Sequence, residues 1–93
     1  MDIGVLSMNG LGRWEILRKG RQPYDLSSGS RFLLEVDGVL RATSIEFRHF
    51  AGPLMGRRTY RGQPGEYYSV DGYLLAEGLR AALPGEAEDG QAL

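Results

Sequence analysis

The sequence predicts one small domain made mainly of β-strands, an antiparallel β-barrel of five or six strands. At 93 residues the chain is too short for two ordinary hydrophobic cores. Short apolar runs alternate with polar residues and are separated by Asn-Gly and Asp-Gly pairs, which are typical hairpin turns. No segment has the length and 3.6-residue periodicity of a helix. An antiparallel sheet that curls on itself is the architecture expected of such a chain.

The first predicted hairpin turns at Asn9-Gly10, because both residues tolerate the positive φ of a two-residue type I′ turn. Such a loop pairs Met8 with Leu11, Val5 with Trp14 and Ile3 with Ile16. The residues at 19–30 are rich in turn formers and are predicted to be a connecting loop.

The second predicted hairpin joins strands at 31–36 and 39–47 through Asp37-Gly38. Two registers remain open. A two-residue loop sets Leu34 against Arg41, whereas a three-residue loop with a bulge sets Glu35 against Arg41. The second register is favoured because it pairs opposite charges.

A third hairpin is predicted at 66–75, turning at Asp71-Gly72 and setting Val70 against Tyr73. The segment at 79–83 is either a last strand or a single helical turn, since glycine and proline bound it closely. The acidic residues at 84–93 are predicted to form a disordered tail after a domain at 1–83.

The stretch at 48–65 is the candidate binding site. It contains four glycines, two prolines, four arginines and no acidic residue, which is typical of an exposed loop with a function. A short strand at 58–60 is one option within it. Arginine binds phosphate through a planar fork, while aromatic rings stack on bases. The candidate residues are Arg48, His49, Phe50, Arg57, Arg58, Tyr60 and Arg61.

The formal net charge of −1 conceals two oppositely charged halves. The residues at 13–61 carry ten basic and five acidic side chains, and the residues at 62–93 carry one basic and six acidic side chains. Such polarity indicates a basic face for an anionic partner if folding keeps the charges apart. If the two halves intermix, it indicates nothing.

Several chemistries lack the residues they require. The chain has no cysteine and one histidine, so a structural zinc site has too few ligands, and neither a metal nor a cofactor is predicted. Every catalytic triad would have to include His49, and no serine lies in a nucleophile elbow. A non-enzyme is therefore predicted. The absence of a signal peptide, an apolar span and cysteine predicts a cytoplasmic protein without a membrane partner.

A family resemblance covers the residues at 12–83. It rests on the order of Arg13-Trp14-Glu15-Ile16, Leu26 with Gly29, Leu34-Glu35-Val36, Thr43 with Ile45-Glu46, Tyr67-Tyr68 and Glu77-Gly78-Leu79-Arg80. In these residues the chain resembles an uncharacterised family of small bacterial domains, the domain of unknown function numbered 5348, often found near mobile elements. The resemblance implies an SH3-like barrel and no activity. The chain departs from the family pattern at Leu40, at Ser44 and in its longer stretch at 48–65.

These observations predict a non-catalytic module that docks nucleic acid or a nucleoprotein through the stretch at 48–65. The alternative is a protein–protein interaction module, such as a mobile-element inhibitor of a host protein, because arginine and aromatic residues are also enriched in protein interfaces. An exposed edge strand would allow a homodimer as well as a monomer.

Overall fold

The computed structural model describes the residues at 3–49, 58–60 and 63–93, with side chains at 3–49 and 65–93. Within these residues eight strands form one sheet in the order β3-β2-β1-β8-β4-β5-β7-β6, with every pair antiparallel. The strands are β1 (Gly4–Met8), β2 (Trp14–Leu17), β3 (Tyr24–Asp25), β4 (Arg31–Val36), β5 (Val39–His49), β6 (Arg58–Tyr60), β7 (Gln63–Ser69) and β8 (Arg80–Ala82). The sheet curls into a small half-barrel, which confirms the predicted fold class.

The strand count exceeds the predicted five or six because short strands complete the sheet. β3 lies within the predicted loop at 19–30, where it pairs with β2. β8 resolves the alternatives at 79–83 as a strand, inserted between β1 and β4. β6 confirms the strand considered at 58–60. Among the described residues no helix is long and apolar enough to cross a membrane.

The first hairpin forms, but its predicted register is wrong. Leu6 pairs with Ile16 and Met8 pairs with Trp14, so five residues separate the strands instead of two. The cause is the Asn9 side chain, whose Oδ1 accepts hydrogen bonds from the backbone amides of Leu11 at 2.9 Å and Arg13 at 3.1 Å. The observed register sets Leu6, Trp14 and Ile16 in the core and leaves Val5 40% exposed.

The second hairpin follows the two-residue loop, not the favoured bulge. Leu34 pairs with Arg41 and Glu35 with Leu40. Asp37 and Gly38 have φ values of 52° and 81°, as a type I′ turn requires. An exposed Glu–Arg pair contributes too little to override this turn. Glu35 instead accepts a hydrogen bond from the Arg80 backbone amide at 3.0 Å.

The third hairpin predicted at 66–75 is wrong beyond its turn. The amide of Gly72 donates to the carbonyl of Ser69, but the residues at 72–79 are not a strand. They run instead from β7 to β1, where Leu6 exchanges backbone hydrogen bonds with Gly78 and Leu79. Tyr73 nevertheless packs against the core. The apolar residues there therefore pack as part of a segment that crosses from β7 to β1, and not as part of a pair of strands.

The core has two parts, one on each face of the sheet. The main cluster fills the inside of the curl and contains Leu6, Trp14, Ile16, Leu26, Phe32, Leu34, Ile45, Tyr67 and Ala81. The smaller cluster contains Leu33, Leu40 and Ala82, with Ile3, Ala42 and Ala87 packed against it. Leu33 and Leu34 are adjacent in β4 and both are buried, because side chains alternate between the faces and both faces are covered there.

The residues at 84–93 are not the predicted disordered tail. The last of them lie beside the start of β5, on the side away from β4, where Ala92 forms a bridge with Val39 and the carbonyl of Gln91 accepts a hydrogen bond from the Leu40 amide. Glu86 binds Arg18 through both carboxylate oxygens, at 3.0 and 3.1 Å. Although the segment is poor in apolar residues, backbone hydrogen bonds and this ion pair order it.

Candidate functional site

The strand pairing brings the two ends of the stretch at 48–65 together. In β5 and β7, His49 pairs with Gly65, and in β7 and β6, Gly65 pairs with Arg58. The three positions therefore form one row across three strands, at a spacing of about 4.8 Å per strand. We call this region, residues 46–49, 58–60 and 63–68, the basic edge, since β6 is the last strand in the sheet order.

One face of the basic edge carries an aromatic cluster. The Phe47 ring meets the rings of His49 and Tyr67 edge to face, with centroids 4.9 Å apart in both pairs. Such geometry is favourable for aromatic pairs. Tyr67 is buried and Phe47 half-buried, whereas His49 is exposed. The cluster therefore extends from the core to an accessible ring at the end of β5.

The opposite face of the basic edge holds Arg48. Its guanidinium carbon lies 4.5 Å from the centroid of the Tyr68 ring, within the range of a cation–π contact. Its Nε lies 3.8 Å from Oε1 of Glu66. The Arg48 and Glu66 side chains are 55% and 41% exposed, so solvent screens their attraction. Arg48 is thus positioned by a ring and a carboxylate but remains accessible.

The predicted site residues fall into three groups. Arg48 and His49 end β5, and both are exposed. Arg58 and Tyr60 lie in β6, which pairs with β7. Phe50, Arg57 and Arg61 lie outside the described residues.

Sequence reasoning missed three members of the basic edge, Gly65, Glu66 and Tyr68, as parts of the site. Gly65 falls within the predicted loop, and Glu66 and Tyr68 fall within the predicted third hairpin. The alternation of Glu66 and Tyr68 in a predicted strand places these two on one face, and this is the signal that the sequence offers.

The two oppositely charged halves of the sequence meet in the fold, since Arg18 and Arg21 bind Glu86 and Arg48 lies beside Glu66 at the end of β5. Arg48 and His49 lie at one end of this strand, and the acidic segment at 86–89 lies beside its other end, where Asp89 accepts a hydrogen bond from the Ala42 amide at 3.1 Å. At about 3.3 Å per residue, β5 is roughly 30 Å long. Arg48 therefore lies at the end of β5 remote from Asp89, although Glu46 and Glu66 lie within the basic edge itself.

A partly buried polar network lies where β5 meets β7. The Thr43 hydroxyl donates to Oδ2 of Asp71 and contacts the Ser69 hydroxyl, both at 2.7 Å. The Asp71 amide donates to the Ser69 hydroxyl at 3.3 Å. Since each hydroxyl has partners within the network, it fixes the turn after β7. Across the described parts of the chain, no three histidine, cysteine or acidic side chains form a group suited to a metal ion.

Comparisons with protein-family models, with curated proteins and with solved structures found no match. The family resemblance and the SH3-like topology that it implies therefore stay predictions from the residues quoted above.

Proposed function

We propose that this protein is a non-catalytic, cytoplasmic binding module that docks nucleic acid, free or within a nucleoprotein, on its basic edge. The observation that carries the proposal is the row of His49, Gly65 and Arg58 across three strands. It joins the exposed end of β5 to the strand that bears the second half of the basic stretch. The two ends of the basic stretch therefore lie side by side in the sheet and not on separate loops.

The residue types of the basic edge suit a ligand that carries both phosphate groups and planar bases. Arginine side chains from the stretch at 48–65 supply forks for phosphate oxygens, and the sequence between Arg48 and Gly65 has no acidic residue. The exposed His49 ring offers a stacking surface at the rim of the aromatic cluster. Stacking on accessible rings is the usual mode for single-stranded nucleic acid, so we favour single strands over duplexes.

A protein partner is the second candidate, and the position of β6 favours it. β6 is a terminal strand of the sheet. Terminal strands bind extended peptides by adding them to the sheet through backbone hydrogen bonds. Such a partner would contact the same edge, and its binding would depend less on salt than binding of a polyanion.

The test is a fluorescence-anisotropy titration of labelled single- and double-stranded DNA and RNA at two salt concentrations. The wild type is compared with the triple variant Arg57→Ala, Arg58→Ala, Arg61→Ala. The matched control is Arg31→Ala, Arg41→Ala, Arg80→Ala, which removes the same charge from exposed positions outside the basic edge.

The proposal expects salt-sensitive binding by the wild type and the control, and a loss of at least tenfold in the triple variant, because each phosphate contact adds to the salt-dependent affinity. Equal losses of affinity in both triple variants would show that net charge alone causes the effect, and would overturn the assigned site. No binding by the wild type at low salt would overturn the nucleic-acid proposal and direct the search to protein partners.

A further inference from the structure

The end of the described chain lies along the part of β5 that pairs with β4 on one side and that β7 does not reach on the other. β7 pairs with β5 from Ile45 onward, and the Val70 amide binds the Ser44 carbonyl. Before that point, the backbone groups of Gly38, Leu40 and Ala42 that point away from β4 form hydrogen bonds with the residues at 89–93. We call the residues at 88–93 the strap.

The strap binds as an added strand would. The Leu40 amide donates to the Gln91 carbonyl at 2.9 Å, and the Gly90 amide donates to the Leu40 carbonyl at 2.6 Å. The Leu93 amide donates to the Gly38 carbonyl at 2.9 Å. Leu40 thus turns both of its backbone groups toward the strap, as a residue of an antiparallel pair does, and Gly38 contributes its carbonyl.

Asp89 adds a side-chain hydrogen bond between the strap and the β5 edge. Its Oδ1 accepts from the Ala42 amide at 3.1 Å, in the place where a strand carbonyl would otherwise accept. Gly90, with a φ of 85°, lets the chain turn at this point so that carboxylate and backbone bind in sequence. The edge therefore binds a segment in which a carboxylate and a glycine form a turn, closed by the Gln91 amide on the Glu88 carbonyl at 3.1 Å, before the backbone pairs with β5.

Little apolar burial holds the strap in place. Ala92 and Leu93 are exposed, and the smaller core cluster receives Ala87, which precedes the strap. Glu86, also before it, is fixed by Arg18 and Arg21. A segment held by a few peripheral hydrogen bonds opens at a lower free energy than the core.

From these contacts we infer that the edge of β5 at 38–42 is a strand-addition site, which the strap occupies in cis and which accepts the same segment from a second copy of this chain. Opening of the strap exposes unpaired backbone groups beside the buried Leu33 and Leu40. An unpaired edge next to apolar surface is what an added strand binds. The strap of a second copy carries the matching carboxylate and glycine, so exchange replaces every contact that opening loses.

Hydrogen exchange of the full chain tests the inference, with Asp89→Ala compared with Glu88→Ala. Both variants remove one acidic side chain from the strap, but only Asp89 contacts the edge of β5 through its side chain in the described structure. The readout is the Leu40 amide, whose own partner, the Gln91 carbonyl, is unchanged. The synthetic peptide Glu-Asp-Gly-Gln-Ala-Leu, residues 88–93, is then added at millimolar concentration. A peptide with alanine in place of aspartate is its control.

The expected result is that Asp89→Ala speeds exchange of the Leu40 amide about tenfold, while Glu88→Ala does not, because the lost hydrogen bond has a charged acceptor. The amides of Leu6 and Ile45 report on the core and should not change. The aspartate peptide should restore protection of Leu40, and the alanine peptide should not. The inference would be overturned if the exchange rate of the Leu40 amide changed only in parallel with those of the core amides, or if the aspartate peptide gave Leu40 no protection.

Discussion

The Phe47 ring lies over Gly65, so closely that a Cβ on Gly65 would overlap ring atoms of Phe47 and the backbone carbonyl of Arg48. Gly65 is also the position that pairs with His49 on one side and Arg58 on the other. The lack of a side chain at position 65 therefore allows the aromatic cluster and the three-strand row to coexist. Packing of the core and shape of the proposed binding surface depend on the same residue.

Replacement of Gly65 by alanine should destabilise the protein, because the added methyl group has no space beside Phe47. We expect the free energy of unfolding to fall by about 1 to 3 kcal/mol, the usual cost of overpacking. Urea denaturation followed by circular dichroism measures it. Gly10→Ala is the control, since a Cβ at Gly10 meets nothing within 4 Å. Equal stability of the two variants would contradict the described packing.

Replacement of Glu66 by glutamine should strengthen binding of nucleic acid. The change removes a carboxylate 3.8 Å from the Arg48 guanidinium, which then faces phosphate without a competing anion. A charge at this distance in water contributes about 1 kcal/mol, so affinity at low salt should rise about fivefold and the gain should shrink at high salt. Anisotropy titration measures both. Glu88→Gln makes the same charge change beside the other end of β5, and a similar gain there would show that Glu66 has no local role.

Replacement of Thr43 by valine should weaken the junction of β5 and β7. Thr43 and Ser69 are 5% and 3% exposed, so the loss of the Thr43 hydroxyl leaves the Ser69 hydroxyl short of a buried partner, whereas the exposed Asp71 carboxylate can bind water. The expected loss is about 1 to 3 kcal/mol in the free energy of unfolding. Thermal and urea denaturation measure it. Ser44→Ala, one residue along β5, is the control and should cost less than half as much.

Replacement of Asn9 by alanine should destabilise the first hairpin, because the side-chain Oδ1 of Asn9 accepts hydrogen bonds from two backbone amides of the loop. By comparison with helix caps of the same chemistry, the cost should be about 1 to 2 kcal/mol. Asn9→Asp keeps the acceptor but places a carboxylate near Asp25, whose Oδ1 lies 3.3 Å from the Asn9 amide nitrogen. Its stability, measured by urea denaturation, should lie between the wild type and Asn9→Ala. An aspartate variant less stable than the alanine variant would mean that repulsion from Asp25 outweighs the loop hydrogen bonds.

A turn dipeptide predicts the local structure correctly where the backbone conformation of the two residues alone determines the turn. Asp37-Gly38 forms the expected type I′ turn, with positive φ at both residues. Asn9-Gly10 has the same signature, yet the Asn9 side chain closes a five-residue loop and shifts the register. A dipeptide pattern does not distinguish these outcomes, because side-chain capping competes with the turn.

The remaining differences arise from contacts between distant parts of the chain. The residues at 72–79 do not pair back on β7, because Leu6 supplies backbone partners for Gly78 and Leu79. The strap is ordered by β5, more than 40 residues earlier in the chain. Likewise, the sequence predicted Arg48 and His49 as site residues, but the register that sets Gly65 between His49 and Arg58 is a property of the folded sheet.

The most direct test of the central claim is an NMR titration of the isotope-labelled full chain with a short single-stranded oligonucleotide, which reports on each backbone amide. We predict chemical-shift changes at His49, Arg58 and Gly65 that weaken as salt is added, and none at the strap. Changes confined to the strap or to the residues at 72–79, or no change at low salt, would contradict the proposal that the basic edge binds nucleic acid.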